Sequence, residues 1–334
     1  MPRMDLLTLT PQGLWCEAGG FHVDPWEPVA HAVTTHAHAD HARAGHGRVT
    51  CTPETAAILR VRLGEDTPLE PVPCGETREL GRTRVSLHPA GHVLGSAQVR
   101  VDGPGGVWVV SGDYKRQEDP TCAPFEVVPC DVFITEATFG LPIYRWDPPD
   151  VVLGDMERFW RDNAQAGQAT VFLCYALGKA QRVLNAAARW NVPRILLHGA
   201  METLLPVYRD AGVAFPETTL ATTLKRGEDT AGALVLAPPS AVGTPWMRRF
   251  KDCRVALCSG WTRVRAQRKR GALDTGFALS DHADWPGLLT TVEQTGARRV
   301  LVTHGHAHPL ARWLQENGVN AAQLSTPFTG EADL

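Results

Sequence analysis

From Thr35 to His41 the chain reads Thr-His-Ala-His-Ala-Asp-His, placing three histidines and an aspartate within six residues. Neither an ordinary core nor an ordinary surface requires that density. The preceding run, Ala30 to Thr34, reads as a buried strand, so the cluster sits on the loop leaving that strand. Alternation along an extended chain would bring His36, His38 and Asp40 to one side, and a turn after Asp40 would swing His41 to a neighbouring position. Imidazole and carboxylate together suit zinc, manganese or iron, and four donors so close suggest two ions rather than one. A chain built around such a site must bring further donors to it from remote strand ends.

Those donors can be found. In Pro89-Ala90-Gly91-His92-Val93-Leu94-Gly95-Ser96, the two glycines let the backbone turn tightly on either side of His92, as a ligand loop requires. In Val109-Val110-Ser111-Gly112-Asp113-Tyr114 an apolar strand delivers an aspartate at its end, and Asp113 is the carboxylate best suited to bridge two ions. Ile134-Thr135-Glu136-Ala137-Thr138 is another strand ending in an acid. Near the C-terminus, Ser280-Asp281-His282-Ala283-Asp284 precedes a helix, and Val302-Thr303-His304-Gly305-His306-Ala307-His308 ends a strand. His304 is the first residue after that strand and the candidate ligand there; His306 and His308 lie farther out. His22, His31, His46, His88 and His198 have no comparable context.

Composition narrows the class. With 334 residues, 43% apolar and 21% charged, the chain is expected to be a globular protein of two domains or one large one. No stretch reaches the length of a membrane span, and residues 1–5 lack the features of a signal peptide. The eight cysteines are scattered without a Cys-x-x-Cys pair, which suits reduced thiols in a cytoplasm and argues against a zinc ribbon. A net charge of −3 gives no global sign of a nucleic-acid partner, so such evidence must be local.

The pattern along the chain predicts a hairpin over 7–24, a helix over 54–63, and strands at 83–88, 97–101, 107–111 and 132–135. The character changes after Gly140-Leu141-Pro142. Helices over 150–165 and 178–190 alternate with short buried strands at 169–174, 194–198, 233–236 and 254–258, the βαβ rhythm of a parallel sheet. A helix over 285–296, a strand over 299–303 and a helix over 309–317 return to the first style. The expected organisation is a first domain of residues 1–142 plus 271–334, interrupted by an α/β insertion over 143–270.

The succession HxHxDH, PAGHVLGSA and SGDY resembles the metallo-β-lactamase superfamily. TEATFG (135–140), SDHAD (280–284) and THGH (303–306) are similar to the acidic and histidine motifs of its β-CASP nuclease branch, and FLCYALGKAQ (172–181) is similar to the start of the β-CASP insertion. Within that branch the chain looks closest to ligase-associated DNA exonucleases, kin to messenger-RNA 3′-end-processing endonucleases and Artemis-type repair nucleases. It departs in carrying His306 where relatives carry glutamate, and in a short insertion without an added RNA-binding domain. The resemblance implies an αββα sandwich with an inserted α/β β-CASP domain. It also implies two divalent ions, zinc favoured and manganese the alternative, with His36, His38 and His92 on one, Asp40, His41 and His304 on the other, and Asp113 bridging. Asp40 then belongs to both the ligand and the catalytic sets. His282 serves as general acid, oriented by Glu136. Functional association with a DNA ligase or helicase is implied by resemblance alone.

From Arg248 to Arg270 there are nine basic residues against one acid, Asp252, together with Trp246, Phe250 and Trp261 as surfaces on which bases could stack. Arg263, Arg265, Arg268, Lys269 and Arg270 are the candidate phosphate contacts there, joined by Tyr175 and Lys179 at the start of a helix. The resulting expectation is a two-metal phosphodiesterase acting on nucleic acid, a DNA exonuclease of repair. The rivals are a ribonuclease, a small-molecule metallo-hydrolase of the glyoxalase or lactonase kind, and a catalytically silent nucleic-acid-binding subunit.

Overall fold

The computed structural model describes residues 5–264 and 273–325. These divide into two compact units, the first of residues 5–118, 122–145 and 282–325, the second of residues 119–121, 146–264 and 273–281. No described helix is long and apolar enough to cross a membrane.

The first unit holds two sheets. Strands β1 (Thr8–Thr10), β2 (Gly13–Cys16) and β3 (Phe21–Val23) form an antiparallel meander where the sequence suggested a single hairpin. β4 (Ala32–Val33), β5 (Val49–Cys51) and β6 (Leu69–Pro71) extend it in parallel, giving six strands in chain order. Between the last two runs α1 (Pro53–Leu63), which packs beside β6, starts at a Thr52 cap that accepts the Thr55 amide at 3.2 Å. In the second sheet β7 (Thr77–Leu80), β8 (Thr83–Pro89), β9 (Ala97–Gly103) and β10 (Gly106–Val110) are antiparallel neighbours, and β11 (Val132–Glu136) adds in parallel to β10.

The second unit follows as α2 (Pro149–Gln165), β12 (Ala169–Leu173), α3 (Lys179–Ala187), β13 (Ile195–Leu197), α4 (Gly199–Glu202), α5 (Leu205–Asp210), β14 (Thr219–Leu220), β15 (Leu234–Ala237), β16 (Cys253–Cys258) and β17 (Thr275–Phe277). Its six strands are all parallel, in the order β14-β13-β15-β12-β16-β17. Such a sheet is covered on both faces and its strands read as unbroken apolar runs. Phe172, Leu234, Leu236 and Ala256 pack one way with Met156 and Trp160 of α2, while Val171, Leu173, Val235 and Val255 pack the other way. Because β17 pairs with β16, residues 273–281 group with this unit rather than with the C-terminal segment.

The chain then returns to the first unit as α6 (Trp285–Thr295), β18 (Arg299–Thr303), α7 (Ala307–Glu316) and β19 (Ala321–Gln323). β18 joins in parallel to β11, completing the seven-stranded order β19-β18-β11-β10-β9-β8-β7. Alternation then sorts the side chains. Val110 and Ile134 face the first sheet, packing with Phe21, Val23, Val33, Val85 and Val99. Val109, Phe133, Val300 and Val302 face outward, beneath Leu288 and Val292 of α6 and Leu310 and Leu314 of α7. Each wholly buried side chain of this size contributes about 1.5–3 kcal/mol.

β8, β10, β11 and β18 run the same way, because β9 separates β8 from β10 by two antiparallel steps. Their carboxyl ends therefore share one edge of the sheet, and the residues just beyond them are delivered to one place.

Candidate metal centre

His92, Asp113, Glu136 and His304 stand at or just beyond the carboxyl ends of β8, β10, β11 and β18, and the loop with His36, His38, Asp40 and His41 leaves β4. That loop turns rather than extends: the amides of His41 and Ala42 both donate to the carbonyl of His38, at 3.2 and 2.9 Å. The turn buries His36 and His41 and leaves His38 and Asp40 half-buried. Gly91 and Gly95, at φ +74° and +75°, bracket His92. A Cβ on them would lie 2.5 Å from the Lys115 carbonyl oxygen and the Thr55 amide, so only glycine fits.

The imidazoles form a compact group. Ring centroids lie 4.9 Å apart for His36 and His38, 4.8 Å for His36 and His92, 4.1 Å for His36 and His41, and 5.2 Å for His41 and His304. Asp113 is central. Its Oδ2 is 3.6 Å from His36 Nε2, 3.5 Å from His41 Nε2 and 3.9 Å from His92 Nε2. Asp40 Oδ2 approaches His41 Nε2 at 3.7 Å. The ligand atoms of His36, His38, His92 and Asp113 all lie within 4.8 Å of one another, as do those of Asp113, Glu136 and His282. Thus Asp113 belongs to both clusters.

This donor set fits divalent metal. The Nε2 atoms of His36 and His41 are fully buried and make no hydrogen bond, a costly state for a polar atom unless a ligand faces it. Burial, reinforced by His41, holds the His36 imidazole well below its ordinary range, so it presents a lone pair. Burial acts upward on Asp113, but His41, His282 and His36 outweigh it and keep the carboxylate well below its ordinary range, ionised. Burial acts downward on His41, and Asp113, Asp40 and Asp24 together reverse it.

Asp24, just after β3, is a residue that the sequence motifs do not reveal. Its Oδ2 accepts His41 Nδ1 at 2.7 Å and the Thr35 hydroxyl at 2.6 Å, and its Oδ1 accepts the Thr35 amide at 2.8 Å. The Thr35 hydroxyl lies 3.0 Å from His36 Nδ1, so one carboxylate orients two imidazoles, one directly and one by relay, and aims both Nε2 atoms inward. Its only sequence signal is an acid at a strand end.

Beside these donors His282 Nδ1 lies 3.0 and 2.9 Å from the two oxygens of Glu136, both residues buried. The amide of Tyr114 donates to Glu136 Oε1 at 2.7 Å, and the carbonyl of Tyr114 accepts the Ala283 amide at 2.7 Å. His304 has φ +57°, a backbone conformation uncommon outside glycine, and its ring stacks on His41. His306 turns away: its amide donates to the Ala137 carbonyl at 2.7 Å and its ring stacks on Tyr144 at 5.8 Å. His308 lies in the first turn of α7.

The expected nucleic-acid residues fare differently. Arg263 is half-buried and paired with Asp147 at 3.0 Å, and Tyr175 is half-buried. Lys179 is fully buried, its ammonium 3.4 Å from Asp281 Oδ2 and 4.7 Å above the Tyr175 ring, so it is not presented to a phosphate. Trp246 and Phe250 are not stacking surfaces: they pack on the sheet with Val171, Leu196 and Val235 because the apolar members of this basic stretch face inward. Arg265, Arg268, Lys269 and Arg270 lie outside the described residues.

Two facing sheets flanked by helices, with histidine and aspartate donors gathered at one sheet edge, define a metallo-β-lactamase fold. The chain belongs to the metallo-β-lactamase superfamily, in its β-CASP nuclease branch. It is 34% identical over 314 residues to a protein of Opitutus terrae named "Probable DNA ligase", covering 92% of this chain and 30% of that protein. It is 32% identical over 120 residues to the cleavage and polyadenylation specificity factor 73 of Drosophila melanogaster, covering 35% of this chain and 17% of that protein. An endoribonuclease, ysh1, of Aspergillus fumigatus is 33% identical over 128 residues, covering 35% of this chain and 13% of that protein. The chain thus spans less than a third of the length of each of these relatives. No family model matches it. A solved protein of unknown function from Enterococcus faecalis shares the fold, with a TM-score of 0.59 and 14% identity over 90% of this chain and 80% of that one.

Proposed function

We propose that the chain is a two-metal phosphodiesterase acting on nucleic acid, a DNA exonuclease of repair. The observation that carries this reading is the buried His282–Glu136 pair set against the ligand cluster, with Asp113 common to both groups. His36, His38 and His92 would hold one divalent ion and Asp40, His41 and His304 the other, with Asp113 reaching both; zinc is favoured and manganese the alternative. Such a pair of ions supplies charge neutralisation on a phosphoryl group and activation of water for in-line attack.

The chain's own residues do the rest. Asp24 and Thr35 fix the tautomers of His36 and His41, so that both offer Nε2. Glu136 fixes Nδ1 of His282 as the donor of their hydrogen bond and stabilises the imidazolium, so the proton that reaches the departing sugar oxygen sits on Nε2. A departing alkoxide is a poor leaving group, which is why a donor is needed here and would be superfluous for an activated ester.

The DNA preference is supported by the relative named a probable DNA ligase, 34% identical along 92% of the chain, whereas the relatives named endoribonucleases match over about a third of it or, where the match extends over 73%, at only 21% identity. The same match supports functional association with a ligase. The eight cysteines are all free thiols, which suits a reducing cytoplasmic setting. The test is incubation with end-labelled single- and double-stranded DNA and RNA, with zinc or manganese. Stepwise release of mononucleotides from DNA is expected. Internal cleavage of RNA with DNA intact would instead establish the ribonuclease reading, and hydrolysis of a thioester or lactone with both polymers intact would refute a nuclease.

A further inference from the structure

The second unit carries a groove at the end of its sheet opposite Tyr175 and Lys179. It opens where β12, β15 and β16 begin, between the 224–231 loop and the 245–252 segment, and has a volume of about 970 Å³. Along β12 the distance to Tyr175 is on the order of 20 Å, at about 3.3 Å per residue. Lys225 and Arg226 line one wall; Arg248, Arg249 and Lys251 line the other, and all five are exposed.

What distinguishes these cations is the company they lack. Elsewhere arginines close on acids, as Arg84 does on Asp102 at 2.7 Å, Arg254 on Asp274 at 2.6 Å and Arg312 on Glu316 at 2.8 Å. Among the described residues, Lys225, Arg226, Arg248 and Lys251 have no acid within ion-pair distance. Of the three acids in the groove, Glu228 is turned to Arg194 and to the Lys225 amide, Asp229 caps its own loop by accepting the Ala231 amide at 2.9 Å, and Asp252 is exposed beside Lys251, so five cations stand against three acids. The groove therefore keeps a surplus of positive charge on a concave surface. Trp246 and Phe250 pin the 245–252 segment to the sheet, so its arginines and lysine project from a fixed support. Among the described residues no aromatic ring lines the groove, which suits phosphate rather than bases.

We propose that this groove is a second binding surface for the phosphodiester backbone of single-stranded nucleic acid, gripping the polymer without regard to sequence. The identity of the polymer rests on the nuclease reading above. A very short strand offers too few phosphates to engage both walls of the groove; a long one engages them together.

The experiment replaces Arg248, Arg249 and Lys251 together by alanine and measures binding of short and long phosphorothioate single strands by fluorescence anisotropy across a salt series. Each phosphate that the groove no longer grips should flatten the log–log salt slope by about 0.7, so roughly two units are expected on the long strand and no change on the short one. Lys225→Glu with Arg226→Glu, on the opposite wall, should act the same way, and serves if the triple variant does not fold. Hydrolysis of a nitrophenyl nucleotide diester should be unaffected in both. Inorganic phosphate at matched ionic strength should not displace the long strand; displacement by phosphate alone would mean a small-anion site and overturn the assignment. An unchanged slope in both variants would equally overturn it, leaving the nuclease reading intact. Wild-type protein that binds long strands with the expected slope but cleaves none would fail that reading and leave the groove standing.

Discussion

Replacing Asp24 by asparagine should uncouple two ligands at once. The carboxylate accepts three hydrogen bonds, from the Thr35 amide, the Thr35 hydroxyl and His41 Nδ1. Asparagine keeps one acceptor, which can still serve the Thr35 amide. Its NH₂ group would then confront the Thr35 hydroxyl and the His41 N–H, both of which are donors. His41 must respond by moving its proton to Nε2, the atom that faces Asp113, and His36 loses the relay that fixed its own tautomer. Loss of an outer hydrogen-bond partner of a ligand typically costs 10–100-fold in metal affinity, or about 1.4–2.7 kcal/mol. Because His36 and His41 fall in different proposed sites, both ions should weaken. The assay is competition between the metal-stripped protein and a chromogenic chelator, read as two dissociation constants, with melting of the metal-free form as a control. Wild-type affinity at both sites would refute the orienting role, and loss at one site alone would refute the Thr35 relay.

Asp113→Ala should abolish binding of the metal pair, measured as metal content after gentle purification, and with it all hydrolysis. His282→Ala should keep its metals and bind DNA normally but cleave it roughly two to four orders of magnitude more slowly; equal losses on DNA and on an activated aryl phosphodiester would exclude an acid role. Glu136→Gln, which can still accept from the Tyr114 amide and from His282, should retain more activity than Glu136→Ala, as single-turnover rates will show. His31 is buried with Nε2 2.8 Å from the Thr50 hydroxyl and the Arg48 guanidinium 2.9 Å from Nδ1; burial and then Arg48 push it down to about 4. An unfolded imidazole titrates near about 6.5, so on acidification the unfolded chain takes up its proton first. The contribution of His31 to stability is full above about pH 6.5 and is lost towards pH 4, amounting to about 3 kcal/mol at most. Denaturant titration of the metal-free protein should show this limb, and His31→Gln should remove it.

The cluster of candidate ligands is legible in the sequence because its residue types are improbable anywhere else and because each motif follows an apolar run, which places it at a strand end. Asp24 is not legible for the complementary reason: a single aspartate before a proline reads as a turn, and only the fold brings it against Thr35 and His41. Lys179 misleads because its partner, Asp281, lies about a hundred residues on, beyond any local pattern. Trp246 and Phe250 read with their basic neighbours, although alternate faces of one short segment can meet core and solvent. Strands of two or three residues, such as β5, β14 and β17, carry too few side chains for periodicity to register, and they are held by pairing with longer neighbours or with one another.

The backbone at Tyr114 has a mechanical consequence. Its N–H holds the Glu136 carboxylate, its C=O holds the backbone next to His282, and its chain neighbour is Asp113. The proposed metal-bridging carboxylate and the proposed proton-delivering pair are therefore gauged from one buried residue, whose N–H and C=O belong to the two successive peptide planes that meet at its Cα, and errors of placement do not accumulate across separate strands. A displacement of about 1 Å between reacting groups can cost roughly a hundredfold in rate. A datum shared in this way lets the rest of the sheet breathe without detuning the chemistry, and any substitution that shifts the backbone at this residue should disturb metal and proton delivery together.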